Sequence, residues 1–381
     1  MSDTQKHTKP NVPNLRFPGF SGEWKQYTMG EITELFSRRN KNKVDYPMFS
    51  VTNARGFVNQ QEQFEDREMK GEDIAAYKIV SPGEFAYNPA RINVGSIARY
   101  DGGTDCMISS LYVCFKAKKE LVDSQLLLHI LKSPKMVYTY GINGEGGVRI
   151  YLFYPNFARI RVKLPSIEEQ RRIASFLDLI EEKIQIQNKV IEKYESLIKA
   201  LYSRLLPLEV DKTAELGTLV QICKGKQLNG EFLSDDGKYY VMNGGITPSG
   251  YYDEYNTPAE TISISEGGNS CGFVQYNEKP FWSGGHCYTL LQTTDERIQY
   301  KFLYHFLKSK QDEIMALRIG SGLPNIQKKD IERFPVPILP IDYQNTITRL
   351  LDAIGKFIEN EQAILVELTC QKISILGNLF I

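Results

Sequence analysis

The stretch that decides the architecture runs from residue 164 to residue 207: LPSIEEQRRIASFLDLIEEKIQIQNKVIEKYESLIKALYSRLLP. Pro165 followed by Ser166-x-x-Glu169 is a helix-start pattern, a hydroxyl to cap the third amide and a carboxylate to reach back. Apolar residues then fall at Ile173, Leu177, Ile180, Ile184, Ile191, Tyr194, Ile198, Leu201 and Leu205, with Gln187 filling the one gap. Steps alternating four and three make a heptad seam of about five repeats, which Pro207 closes. Ser166 to Leu205 spans roughly 60 Å as helix, more than the diameter of a ~130-residue domain. A stripe like this usually packs on its own domain. A helix this long needs a partner of its own length.

The chain supplies one. From Leu339, LPIDYQNTITRLLDAIGKFI matches LPSIEEQRRIASFLDLIEEKI, and from Ile167 onward the offset is a steady 174, pairing Gln170 with Gln344, Asp178 with Asp352 and Ile180 with Ile354. Upstream, LLLHILKSPKM at Leu126 resembles KFLYHFLKSKQ at Lys301, with His129 matching His305 at an offset of 176. The same offset aligns GEGGVRI (Gly144 to Ile150) with GSGLPNI (Gly320 to Ile326). The second helix opens at Asp342 and repeats the seam at Ile347, Leu351, Ile354, Ile358, Leu365, Leu368, Ile375 and Leu379, interrupted by Glu361 and Lys372. Two copies are too few for a solenoid and point to duplication with pseudo-twofold symmetry. If the helices pack antiparallel about that axis, Gln187 and Glu361, 174 apart, face each other near the crossing and the amide donates to the carboxylate.

The fronts of the two repeats, Phe20 to Pro165 and Lys212 to Pro340, read as mixed α/β. Strand-like runs (SSLYVCFKA, TISIS, CYTLLQT) alternate with Gly- and Asn-rich turns, and one clear helix lies in each, near Ser124 to Leu131 and Tyr300 to Leu307. The expected class is therefore α+β: two α/β domains (20–165 and 212–340) joined by two long helices (166–211 and 341–381), after a flexible leader (1–19). A second stripe on the first long helix, at Phe176, Leu179, Ile186, Val190, Leu197 and Ala200, is left over by a two-helix pair. It reads as a docking surface for another helix, or alternatively as a face packed on the flanking domains.

Composition sets limits. Lysine plus arginine and aspartate plus glutamate both number 46, so the formal charge is zero, against a chain living on non-specific phosphate attraction. A local footprint remains open: Ile142 to Pro165 carries three arginines and a lysine against a single glutamate. No apolar run approaches the roughly 18 residues of a membrane span, and the polar N-terminus does not look secretory. The six cysteines form no C-x-x-C pair and read as free, mostly buried thiols.

Two variable α/β domains, each followed by a similar long helix opening on LP…Q…I…LD…I, resemble the Type I restriction-modification specificity subunit. NLRFPGFSGEW in the leader, YNPARINVGSIARY (Tyr87 to Tyr100) and GSGLPNI carry the same resemblance, which covers Asn14 to Ile381. It implies two target recognition domains, each reading half of a bipartite, asymmetric double-stranded DNA sequence, held apart by antiparallel spacer helices. It implies two methyltransferase subunits docked along those helices, with restriction subunits beyond them, in the cytoplasm and with no membrane. S-adenosylmethionine, ATP and Mg would belong to those partners, with no cofactor, metal or catalytic residue on this chain.

The residues themselves agree on the lack of an active site. YNPA at Tyr87 departs from the N-P-P-Y/F pattern of adenine methyltransferases at Ala90 and Arg91, and no Gly-rich strand-to-helix turn precedes it. Gly225-Lys226 lacks the earlier glycine of a P-loop, and Glu181-x-Lys183 reads as a solvated charge pair on the helix. For DNA contact, glycine-flanked loops with amides, hydroxyls and basic side chains are the candidates, because Arg, Asn and Gln read purine edges bidentately. In the first domain these are Arg38, Arg39, Arg91, Arg99, Arg149 and Tyr151; in the second, Lys224, Lys226, Asn243, Asn269, Ser270, His286, Arg318, Asn325 and Lys328. At each, exposed surface without contact is the competing reading. A stand-alone DNA-binding regulator with two readers is the rival function, and the zero net charge disfavours it.

Overall fold

The computed structural model describes residues 11–60, 74–146, 150–206, 212–292, 295–320, 322 and 324–380. Pro207, Arg149 and the first ten residues of the leader lie outside them. Two compact units divide the chain, Met1–Ile186 with Leu365–Ile381, and Gln187–Ile364. The long helices are thus not separate bodies: each is cut between the units near its middle.

In unit 1, β1 (Lys25–Thr28) pairs with β10 (Arg161–Leu164) beside the short helices α1 (Met29–Ile32) and α4 (Tyr154–Arg159). The central sheet is antiparallel, in the order β2 (Thr33–Phe36), β9 (Val113–Ala117), β6 (Phe85–Tyr87), β7 (Ile97–Arg99). Its inner strand β6 is buried on both faces. Phe85, Tyr87, Ile97 and Phe115 join one core with Leu126, Leu127, Phe157, Ile173 and Leu177. Ala86, Ala98 and Cys114 join a second one with Val51, Val80 and Cys106, the latter contributed by the hairpin β3–β4 (Phe49–Thr52, Gly56–Asn59) and the antiparallel pair β5–β8 (Lys78–Val80, Cys106–Ile108). Two helices follow, α2 (Ser124–Lys132) and α3 (Pro134–Asn143). The long helix α5 (Ile167–Leu205) contributes its first half to this unit.

Unit 2 repeats the plan. After β11 (Thr213–Glu215) and α6 (Leu216–Leu219), an antiparallel sheet runs β12 (Val220–Lys224), β18 (Cys287–Gln292), β15 (Thr261–Ser265), β16 (Val274–Asn277). A smaller sheet joins β14 (Tyr251–Tyr252), β13 (Tyr239–Met242) and β17 (Trp282–Ser283). Ile262, Ile264 and Leu290 pack with Phe302, Leu303 and Phe306 of α7 (Tyr300–Ser309). The short helices α8 (Gln311–Ala316) and α9 (Lys328–Glu332) and the strand β19 (Pro335–Pro337) lead to the second long helix, α10 (Ile341–Leu379). Ile347 and Leu351 of α10 join this core beside Ile198, Leu201 and Leu205 of α5.

Each long helix is locked to the domain before it by one glutamine. In unit 1 the buried Gln170 amide donates to the carbonyls of Leu121 and Pro165 (both 3.0 Å) and accepts from Asp123 N–H at 2.9 Å. In unit 2 the buried Gln344 does the same with Arg297 (2.9 Å), Leu339 (2.8 Å) and Gln299 N–H (2.8 Å). About two turns later, His129 bonds Asp178 and His305 bonds Asp352, both at 2.8 Å. These are the residue pairs that the sequence repeat aligned.

The helix pairing is antiparallel inside each unit. In unit 2, Gln187 donates to the carbonyl of Glu361 (2.9 Å) and to its carboxylate, Tyr194 packs on Phe357 at 4.4 Å, and Leu205 O accepts from Tyr343. The expected Gln187–Glu361 facing pair is therefore present. In unit 1, Glu181 pairs with Lys372, and Ile173 and Leu379 belong to one core. Glu181 thus serves the second seam break, not Lys183.

Two expectations fail near the start of α5. Ser166 Oγ caps Glu169 N–H at 3.3 Å, but the Glu169 carboxylate does not return to Ser166. Arg16 takes it bidentately at 2.9 and 2.8 Å, a stronger partner than a lone amide. The leader is accordingly packed from Asn11 onward: Trp24 N–H donates to Asn11 O, Leu15 N–H donates to Asn378 O, and Phe17 sets its ring edge-on to Phe176 at 5.5 Å.

The GEGGVRI–GSGLPNI alignment also shifts. Mutual backbone bonds close Glu145 on Tyr151 and Ile319 on Asn325, at an offset of 174, not 176. Gly146 and Gly320 then coincide, at φ +113° and +104°, where a side chain is strained. The two missing residues fall between α7 and the hairpin, in the stretch that holds α8, a shorter helix than α3.

Candidate nucleic-acid interface

In unit 2 the candidates converge at one end of the main sheet. Lys224 ends β12, Ser265 ends β15, and the turn Gly284-Gly285-His286 leads into β18, so three loops leave side by side. They are stitched together by backbone bonds: Gly225 N–H to Cys287 O (2.8 Å), Lys226 N–H to Ser283 O (2.8 Å), Glu266 N–H to His286 O (2.9 Å). The hairpin joins through Ile326 N–H to Glu266 O (2.9 Å) and Gly268 N–H to Pro324 O (3.0 Å). Glycine is required where loops touch, since a Cβ on Gly225 would lie 2.1 Å from the Gly284 carbonyl.

On this platform Lys224, Lys226, Asn269, His286, Arg318, Asn325 and Lys328 are exposed, and Ser270 is half-buried. Four of the candidates spend their side chains on protein partners. Lys224 Nζ lies 2.7 Å from Glu266 Oε1, Lys328 pairs with Glu332 at 3.4 Å, Asn325 Oδ1 accepts from Gln327 Nε2 at 3.1 Å, and Asn243 Oδ1 accepts His286 N–H at 3.2 Å. Asn243 thus shapes the turn that presents His286. Glu266, at the centre of the cluster, went unremarked in the sequence; a carboxylate between a buried strand and Gly267-Gly268 was the available signal.

In unit 1 the corresponding sheet end presents Arg91. Asn88 Oδ1 accepts Ala90 N–H (3.0 Å), Arg91 N–H donates to Asn88 O (3.0 Å), and the hairpin docks through Leu152 N–H to Pro89 O (2.9 Å). YNPA is therefore a turn, as its altered motif suggests. Beside it opens a cavity of about 380 Å³ lined by Thr52, Asn53, Gln60, Asn88, Arg91 and Ser96. Tyr151 is exposed on the hairpin, stacked on Phe153 at 6.2 Å, and Arg39 is exposed after β2.

Arg38 and Arg99 do not join this surface. Arg38 turns to Glu84 and Ser81 in the β5–β6 turn. Arg99 ends β7 opposite Phe85, the other end of the sheet from Arg91, and braces Asp101 (2.5 Å) and Ser124 (3.2 Å). A three-residue strand leaves no sequence cue to which end a flanking arginine serves.

On α5, Leu179 is 64% exposed, Ile186 53% and Leu197 44%, while Val190 is half-buried. Phe176 is the exception, being covered by Phe17 of the leader. Among the described residues no helix is long and apolar enough to cross a membrane. All six cysteines are free, four of them buried.

Two units of one plan, each ending its sheet in a glycine-built polar loop cluster and each locked to a long helix, define a duplicated recognition protein. The chain belongs to the Type I restriction modification DNA specificity domain family, which matches residues 21–196 and 209–369. It is 39% identical over 146 residues to a type I specificity subunit of Mycoplasma pneumoniae, an alignment covering 38% of this chain and 39% of that one. The chain thus matches about two fifths of the length of that relative. Against the MjaX specificity subunit of Methanocaldococcus jannaschii it is 22% identical over 401 residues, 93% of this chain and 92% of the relative. The crystal structure of the S subunit from M. genitalium shares the fold, with a TM-score of 0.67 at 18% identity over 97% of this chain and 99% of that one.

Proposed function

We propose that this chain is the DNA-sequence specificity subunit of a Type I restriction-modification complex. Each unit reads one half of a bipartite, asymmetric site, and the long helices set the unread gap between the halves. The carrying observation is the duplicated lock, Gln170 with His129–Asp178 and Gln344 with His305–Asp352, which ties each α/β domain to its long helix in the same way. Base readout needs such a tie, because half-site spacing is a geometric consequence of how the readers are held.

The chain itself is non-catalytic in this reading. Adenine methylation with S-adenosylmethionine belongs to two methyltransferase subunits, which dock on the exposed stripe Leu179, Ile186, Val190 and Leu197 of α5. ATP- and Mg-dependent cleavage belongs to restriction subunits, and the complex works in the cytoplasm. Arg39, Arg91, Tyr151 and Arg149 in the first unit, and Lys224, Lys226, Asn269, Ser270, His286, Arg318, Asn325 and Lys328 in the second, are the proposed contact set. Long-read mapping of methyladenine in the host tests it. A bipartite motif present with the gene and lost on its deletion supports the reading; an unchanged methylome contradicts it.

A further inference from the structure

We propose that Glu266 is a base-reading residue of the second unit, its free carboxylate oxygen accepting the N4 amino group of a cytosine in the half-site that unit reads. The inference rests on the reading of this loop cluster as a DNA interface.

Glu266 is 8% exposed and its backbone is nailed from three sides, by His286, by Ile326 and by the Cys271 thiol, which donates to its carbonyl at 3.0 Å. Its two oxygens are used unequally. Oε1 takes both available donors, Lys224 Nζ at 2.7 Å and Tyr288 O–H at 3.0 Å. Oε2 is buried and, among the described residues, receives no hydrogen bond. His286 Nδ1 lies 3.7 Å from Oε2, beyond hydrogen-bond reach.

A bare carboxylate oxygen in a buried place costs free energy that a structural ion pair would avoid by sharing its partners. It is explained if a donor arrives from outside. The route lies past His286, whose side chain is 63% exposed and free to change rotamer.

The donor's chemistry follows from the acceptor. A carboxylate cannot donate, so guanine and thymine edges, which offer acceptors in the major groove, are repelled. Adenine offers N6 but sets the N7 lone pair beside it, whereas cytosine offers N4 beside a carbon. In unit 1 the chain leaving β6 is Asn88-Pro89, and Asn88 Oδ1 is spent on Ala90 N–H. The feature therefore belongs to one unit, as two different half-sites require.

The test compares Glu266→Gln with Lys226→Met, whose side chain is exposed, in the full chain, each restored to the gene-deleted host and read by methyladenine mapping. Glu266→Gln should make one C·G pair in one half of the motif degenerate, with discrimination there falling about tenfold or more, and leave the other half intact. Lys226→Met should lower methylation on every site without changing a base, as loss of a phosphate contact does. An unchanged motif in Glu266→Gln, a uniform loss like that of Lys226→Met, or degeneracy at an A·T pair overturns the assignment.

If Glu266→Gln abolishes methylation, the tagged complex recovered from the host is bound to oligonucleotides carrying the motif and its single-base variants. Lost discrimination at one C·G pair supports the assignment, and equal weakening on all of them overturns it. Replacing Lys212 to Pro340 by a relative's domain separates the two claims: if that leaves the motif unchanged the interface reading itself fails, and if only Glu266→Gln does so, Glu266 alone is misassigned.

Discussion

Gln187 and Glu361 interrupt apolar seams, and their pairing shows how a polar break is tolerated. The glutamine amide spends both hydrogens on one partner residue, carbonyl and carboxylate. Gln187→Leu removes them and leaves the carboxylate without its donor, so it should cost about 1–3 kcal/mol, read from urea midpoints. The double change with Glu361→Leu should recover most of that loss, because neither polar group then remains. The two histidines set a pH dependence. Burial holds His129 and His305 below the ordinary 6.5 despite the attraction of Asp178 and Asp352. Both are therefore neutral in the fold, and Tyr202 O–H approaches His305 Nδ1 at 3.3 Å while Nε2 faces Asp352. Below about pH 6.5 the unfolded chain binds protons the folded chain refuses, so stability is complete above that pH and falls as pH drops through it. Urea midpoints measured from about pH 7.5 to about pH 5.5 should decline, and less so in the His129→Gln, His305→Gln double variant.

At the scale of elements, the long helices and their pairing were legible because heptad spacing, length and the offset of 174 all agree. Gln170 and Gln344 were visible only as a repeated letter, since sequence does not show that a glutamine side chain will serve three backbone groups, two of them in another loop. Alanine at either should strand those groups and cost about 2–4 kcal/mol by thermal or urea melts. The sheet ends were least legible: β6 and β7 have three residues each, and alternation that short does not separate Arg91 from Arg99. Nor does it place Glu266 at the meeting of three loops. The outer stripe of α5 carries its own test. Leu179→Glu with Ile186→Glu replaces exposed side chains, so melts should move by less than about 0.5 kcal/mol. Co-purification of a methyltransferase subunit, and genomic methylation, should nevertheless be lost. Retention of both would return the stripe to plain surface.

For the whole molecule, zero net charge argues against a basic envelope, and the proposed reading therefore rests on local loop clusters held by their helices. Duplication supplies both: one scaffold used twice, with fronts free to diverge. Function should then be modular along the chain. The most direct measurement replaces Phe20 to Pro165 with the corresponding domain of a relative and maps methyladenine across the host genome. The account predicts that one half of the bipartite motif changes while the other half and the gap between them stay as they were. A change in both halves, or in neither, would contradict it.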